Sequence, residues 1–336
     1  MTVRVALVMR RALPGQRSVE RLFSAVVPAL PGDIELDRVE LPHASLGVWR
    51  RIANVVHVAR LRADVVHVSG DVYYCALLVR RRRLVVTVLD LVSVHRLRGW
   101  RRWALTTFWY RLPLRRAAAI TAISEATMDE LREVVPEVVG RCEVIGCAVD
   151  SAFADAGRER PLAEVPSSPV VLIVGTSRVK NVERTLTATV GLDVHVRVIG
   201  PLTVEQSSLL EAAGSSSSSA HGLGDDELVD EYARATVLVF ASSYEGFGLP
   251  IVEANAIGLP VVTSDREPMR SVAGDAAVLV DPDDVRSIRH GIERVIRDDR
   301  LRSELRERGV VNARRFSTQT IAASYAAAYR RVAAGD

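Results

Sequence analysis

Lysine is almost missing from this chain: 43 of its 44 basic residues are arginine, and the only lysine is Lys180. A compositional preference for arginine explains the bias, but not a lone ammonium placed shortly after an apolar, β-branched run, residues 169–174 (PVVLIV). Cysteine is scarce as well. Cys75, Cys142 and Cys147 have neither metal-site spacing nor a disulfide framework, which fits a reducing cytoplasm. No run of about 18 uncharged apolar residues occurs, so no membrane span is expected. Residues 2–9 are too short for a signal peptide's apolar region and read as a first strand. No G-x-G-x-x-G follows that strand, so the dinucleotide fingerprint is missing too.

What is present is the composition of a soluble globular protein, 48% hydrophobic and 25% charged, and 336 residues exceed one comfortable core. Two domains are therefore expected. Their charges differ: residues 1–150 carry 23 arginines against 15 acids, whereas residues 151–336 carry 21 basic and 26 acidic residues. Such asymmetry points to an anionic partner for the first half. It is concentrated in residues 80–116, where 11 arginines accompany one acid, Asp90, and are interleaved with Trp100, Trp103, Phe108, Trp109 and Tyr110. Arginine heads with indoles nearby suit an anionic membrane surface. A solvated arginine face over core aromatics would read the same way. No nucleic-acid module is visible, so nucleic acid is not expected as a partner.

Short apolar strands alternate with helices along both halves, predicting parallel sheets covered on both faces. The first half has strands at residues 2–9, 34–41, 65–68, 84–88, 119–123 and 142–145, with helices at 46–61 and 72–79 and one opening after Ser124. Residues 151–168, small, charged and proline-bearing, read as an interdomain linker. The second half has strands at 169–174, 194–200, 236–241, 260–264 and 277–280. The serine run 215–219 reads as a flexible turn, and Asp225 or Asp226 as the cap of a helix to Ala235.

The stretch from Ser242 to Pro260 organises the second half. A turn with two glycines, Gly246 and Gly248, leads into a helix opening at Leu249-Pro250, where proline's missing N–H costs nothing. Its unpaired N–H groups make a ready anion site. Glu245 at the strand end and Glu253 eight residues on bracket it. Singly, each would be an ordinary surface acid.

This Glu-x7-Glu spacing with GFGLP inside resembles the retaining glycosyltransferases of family 4, which use nucleotide-sugar donors and the GT-B fold. The resemblance implies an α/β chain of two Rossmann-like, doubly wound parallel-sheet domains facing a cleft. It covers nearly the whole chain, most strongly residues 170–281. It implies that Glu245 lies against the donor sugar and that Glu253 hydrogen-bonds the ribose hydroxyls. Gly175-Thr176-Ser177-Arg178-Val179-Lys180-Asn181 resembles the family's phosphate loop, which implies that Arg178 and Lys180 hold the donor diphosphate. Gly175, Gly246, Phe247, Gly248 and Leu249 complete the implied nucleotide-sugar site, with Leu223 in the loop that meets the base. The resemblance further implies no cofactor and no metal, an acceptor (glycan, lipid-linked or secondary-metabolite) on the first domain, and a terminal helix, residues 318–336, crossing back to it.

Two departures stand out. Relatives carry His-Asp where strand 84–88 ends, the His beside the reacting sugar; here the pair is Leu89-Asp90. The Asn-Gly turn that ends their first half is replaced by Gly146-Cys147. Leucine neither accepts a proton nor hydrogen-bonds, so alternatives remain: a nucleotide-sugar-binding protein with reduced or no transferase activity, or epimerisation of the bound sugar on the same fold.

Overall fold

The computed structural model describes residues 2–11, 18–95, 97–159, 168–212 and 216–335. The chain divides into two compact units: Met1–Ala148 with Thr318–Asp336, and Val149–Ser317. The loop at Pro14-Gly15-Gln16, Arg96, the His95 ring and the Ser18 side chain lie outside the described residues.

The first unit is built on β1 (Val3–Met9), β2 (Ile34–Glu40), β3 (Val65–Ser69), β4 (Leu84–Val88), β5 (Ala119–Ala122) and β6 (Cys142–Val144). They form one sheet in the order β2-β1-β3-β4-β5-β6, parallel throughout, with Val3 opposite Ile34 and Val5 opposite Val65. Every residue of β3 and β4 is buried, as in a parallel sheet covered on both faces. The helices between the strands are α1 (Ser18–Val26), α2 (Val48–Ala59), α3 (Val92–His95), α4 (Gly99–Leu105), α5 (Leu112–Arg115) and α6 (Glu125–Val134). Ser124 caps α6 by accepting from the Thr127 N–H at 3.1 Å. The helix expected over 72–79 is a 3-10 turn, Tyr73–Leu78.

The second unit contains α7 (Ser151–Glu159), β7 (Val170–Val174), α8 (Val182–Thr189), β8 (His195–Ile199), α9 (Val204–Ala212), β9 (Ser217–Ala220), α10 (Asp225–Arg234), β10 (Val237–Phe240), α11 (Leu249–Ala256), β11 (Val261–Ser264), α12 (Met269–Ala273), β12 (Ala277–Val280), α13 (Val285–Arg297) and α14 (Asp299–Ala313). Its parallel sheet runs β12-β11-β10-β7-β8-β9.

Three readings need correction here. Residues 151–159, read as linker, form α7: Asp150 accepts from the Ala152 N–H, Phe153 is buried against Tyr232, and Gly157 lies so close to α11 that a Cβ would come within 2.8 Å of the Ala256 oxygen. The serine run holds an edge strand, β9, because its neighbour supplies polar partners: the His195 ring nitrogens meet Ser216 Oγ at 2.7 Å and Ser218 Oγ at 2.8 Å. Asp225 is the first residue of α10 rather than its cap. Gly224 precedes it and donates its N–H to Glu227 Oε2 at 2.7 Å.

The last helix, α15 (Thr318–Ala334), packs within the first unit. Tyr329 OH meets His67 Nδ1 at 2.8 Å, His67 Nε2 meets Thr87 Oγ1 at 2.6 Å, and Thr87 meets Thr121 at 2.6 Å. Arg330 adds a bidentate pair to Asp33 at 2.7 Å. Among the described residues, no helix is long and apolar enough to cross a membrane.

Candidate functional site

In the second sheet β7 and β10 are neighbours, with β8 and β9 on one side and β11 and β12 on the other. The chain leaves β7 towards one flank and β10 towards the opposite one. The loops at their carboxyl ends therefore part, and this switch point is where open α/β sheets bind ligands.

The loop after β7 starts at Gly175, at φ +83°, whose N–H donates to Ile199 O at 2.8 Å. A Cβ there would lie 3.0 Å from Lys180 Cε, so glycine leaves the room that the lysine stem occupies. A 3-10 turn, Arg178–Lys180, leads to Asn181 at φ 56° and ψ 38°. Asparagine is among the few side chains that tolerate this left-handed geometry. Its amide also ties the loop down, donating to Ala241 O at 3.0 Å and Pro282 O at 2.7 Å. The loop after β10 is stitched to the same turn, since Ser243 donates its N–H to Val179 O at 2.8 Å.

These ties bring Lys180 Nζ to 2.8 Å from Glu245 Oε1 and 4.4 Å from the Phe240 ring centroid. The pair is mostly buried, with side chains 20% and 14% exposed. It is a contact ion pair without an aligned hydrogen bond to Oε1. An ammonium has three donors, so contact with one carboxylate oxygen leaves donors for an anion.

Glu253 comes from α11. Gly248, at φ 102°, turns the chain into this helix, and Pro250 occupies its first turn. Glu253 is buried, and Tyr232 OH donates to its Oε2 at 2.6 Å. Lys180 and Glu245 thus meet directly, and Glu253 stands on the helix that follows the same loop. Arg178 is exposed and makes no ion pair among the described residues. Phe247 turns into the core against Phe316, centroids 5.3 Å apart, so its ring supports the loop from behind. Leu249 is half-buried at the start of α11. Leu223 is half-buried in the turn after β9, two strands from β7.

Sequence reasoning passed over Asn181, Tyr232 and Phe240. For Asn181 a signal existed, an asparagine between a turn and a helix start. Tyr232 sits four residues after Leu228 on the apolar face of an acidic helix, which reads simply as core. Asn181→Ala is expected to destabilise the second unit by about 2–4 kcal/mol, from two stranded carbonyls and a left-handed alanine. Asn181→Gly should recover about 1 kcal/mol of that by relieving the backbone alone. Urea unfolding of both variants checks this; equal losses would remove the backbone argument.

In the first unit, the Leu89 N–H donates to Tyr73 OH at 3.3 Å, and Leu89 O accepts from Thr127 Oγ1 at 3.3 Å. Two hydroxyls gather at this backbone, with an aliphatic side chain at its centre.

The chain matches two family models in succession, Glycosyltransferase Family 4 over residues 3–153 and Glycosyl transferases group 1 over residues 159–315. It is 43% identical over 102 residues, 29% of the chain, to O-antigen chain mannosyltransferase B of Escherichia coli. It is 29% identical over 222 residues, 60% of the chain, to the serotype-specific mannosyltransferase WbdA of the same organism. Each match spans 27% of the relative, so the chain spans about a quarter of the length of these relatives. Among solved structures, sucrose-phosphate synthase from Thermosynechococcus elongatus superposes with a TM-score of 0.78 at 20% identity, covering 99% of this chain and 100% of that one. Anabaena Alr3699/HepE in complex with UDP and glucose superposes with a TM-score of 0.74 at 16% identity, covering 98% and 99%. At these identities the likeness is one of fold.

Proposed function

Because this chain belongs to the family 4 glycosyltransferases, of the GT-B type, we propose that it moves a glycosyl group from a nucleoside-diphosphate sugar to a glycan, lipid-linked or secondary-metabolite acceptor, with retention and without a metal. The observation that carries this reading is the meeting of Lys180 and Glu245 at the β7/β10 switch point. As the bond from the anomeric carbon to the diphosphate breaks, negative charge builds on the departing oxygens. Lys180, held between Glu245 and Phe240, and the exposed Arg178 supply the cations that stabilise that charge. Glu245 then lies beside the sugar, and Glu253 takes the ribose hydroxyls, its carboxylate oriented by Tyr232. Gly175, Gly246, Gly248 and Leu249 supply backbone close to the donor, Phe247 supports them, and Leu223 borders the base. A solved neighbour bound to UDP and glucose supports the donor class. The mannosyltransferase names of several relatives favour a mannosyl donor. A cytoplasmic protein suits a donor of this kind.

A ligand at 100-fold its Kd raises stability by about 2.7 kcal/mol. Thermal-shift titration with nucleoside diphosphates of the common bases is therefore expected to give a clear rise with one of them, unchanged in EDTA. If none of them moves the midpoint, the donor site is misassigned; if EDTA abolishes the rise, metal independence is wrong. Leu89 favours a second reading, donor binding with little turnover. Nucleotide release from a bound sugar donor separates the two, since binding without release would support the second.

A further inference from the structure

The first unit holds a cavity of about 570 Å3 that the donor chemistry does not use. Arg51 of α2, Asp71 after β3, Trp100 and Arg101 of α4, and Phe108 and Trp109 just beyond it all line this cavity. We propose that it binds the phosphate-bearing end of an amphiphile held in an anionic bilayer, while the aromatic residues around it enter the bilayer interface.

The aromatic evidence is one of exposure. Trp100, Trp103 and Phe108 are 74%, 62% and 55% exposed. Side chains of this size rarely stand together in water without a partner, and indoles prefer the boundary between headgroups and acyl chains. They are also braced. Trp103 and Phe108 meet edge to face at 6.3 Å, and Trp109 packs on Tyr74 at 4.9 Å. Rings engaged with one another in this way are poorly placed to take successive nucleic-acid bases between them.

The charge evidence is independent. Arg98, Arg101 and Arg102 are exposed and form no ion pair among the described residues. Of the described arginines between 80 and 116, only Arg111 and Arg115 pair with an acid, sharing Glu137. Among the described residues, the one acid on the cavity wall, Asp71, is offset by Arg10 at 3.7 Å. Arg51 is held over Trp109, its Cζ 4.9 Å from the ring centroid, with its Nε donating to Ser45 O at 3.1 Å. A planar guanidinium fixed in this way is built to grip a phosphate with its outer nitrogens. Cations above an apolar, aromatic wall are complementary to an anionic headgroup above its chains.

The inference rests on the transfer reading only in making this amphiphile the acceptor, so binding is measured without donor. The full chain is sedimented with vesicles of phosphatidylcholine alone or with one quarter phosphatidylglycerol. Binding to the anionic vesicles is expected to be at least tenfold tighter. The Trp100→Ser, Phe108→Ser double variant should lose about tenfold or more, and Arg101→Glu about tenfold. Arg300→Glu, the same charge change at an exposed site of the second unit, should bind as the parent does. Equal binding to both vesicles, equal loss with Arg300→Glu, displacement by millimolar inorganic phosphate at constant ionic strength, or tighter binding to a single-stranded oligonucleotide would each overturn the proposal. The nucleoside-diphosphate thermal shift, measured on the same variants, shows that they are folded and tests the donor site separately.

Discussion

Lys180→Ala is expected to lower the rate of glycosyl transfer by one to two decades and to weaken donor binding. A charge-assisted contact to the diphosphate is typically worth about 1.5–3 kcal/mol, and that stabilisation is largest when the leaving oxygens carry most charge. The variant also leaves the Glu245 carboxylate, 14% exposed, without its cation. Part of the loss will therefore appear as stability, about 1–3 kcal/mol for a pair buried to this degree. Glu245→Gln with Lys180→Ala separates the two effects. Removing both charges should restore much of the unfolding midpoint while leaving transfer low. Transfer kinetics and urea unfolding on the three proteins provide the check. Parent-like transfer in Lys180→Ala would end the assignment of the phosphate loop.

Acidification should destabilise the first unit through one residue. His67 is fully buried, and that burial holds its pKa down to about 3, against an ordinary 6.5. Below pH 6.5 the unfolded chain takes up a proton that the folded chain refuses, so the stability present at neutral pH is lost as pH falls. The slope approaches 1.4 kcal/mol per pH unit, which amounts to about 2 kcal/mol between pH 7 and 5. Asp33, lowered chiefly by its hydrogen bond from Arg330, titrates below this window. His67→Gln cannot titrate, and its stability should depend on pH with one proton less. Parallel slopes for parent and variant in urea unfolding between pH 7 and 5 would show that the imidazole accepts its proton while folded.

The strands were legible because a buried parallel strand is a short β-branched run in any context, and VRVALVM, LVVTV and VVLIV look the same with or without a partner. The turns and the helix that carry Lys180, Glu245 and Glu253 were legible because glycines and a proline punctuate the chain around them. What escaped depended on tertiary partners. Ser217–Ala220 is a strand only because His195 and Arg197 lie alongside to satisfy its hydroxyls. Ser151–Glu159 is a helix because Phe153 finds Tyr232 across the unit. Asn181 reads as an ordinary polar residue until its amide is seen to bond two carbonyls, 60 and 101 residues away.

The hydroxyl of Tyr329 reaches an imidazole 262 positions earlier, and nearly all of the intervening second half belongs to the other unit. During synthesis the later sheet thus has every strand and helix it needs before the earlier one receives its final piece. The part made first is the part completed last, and until then the polar chain beneath α15 has no lid.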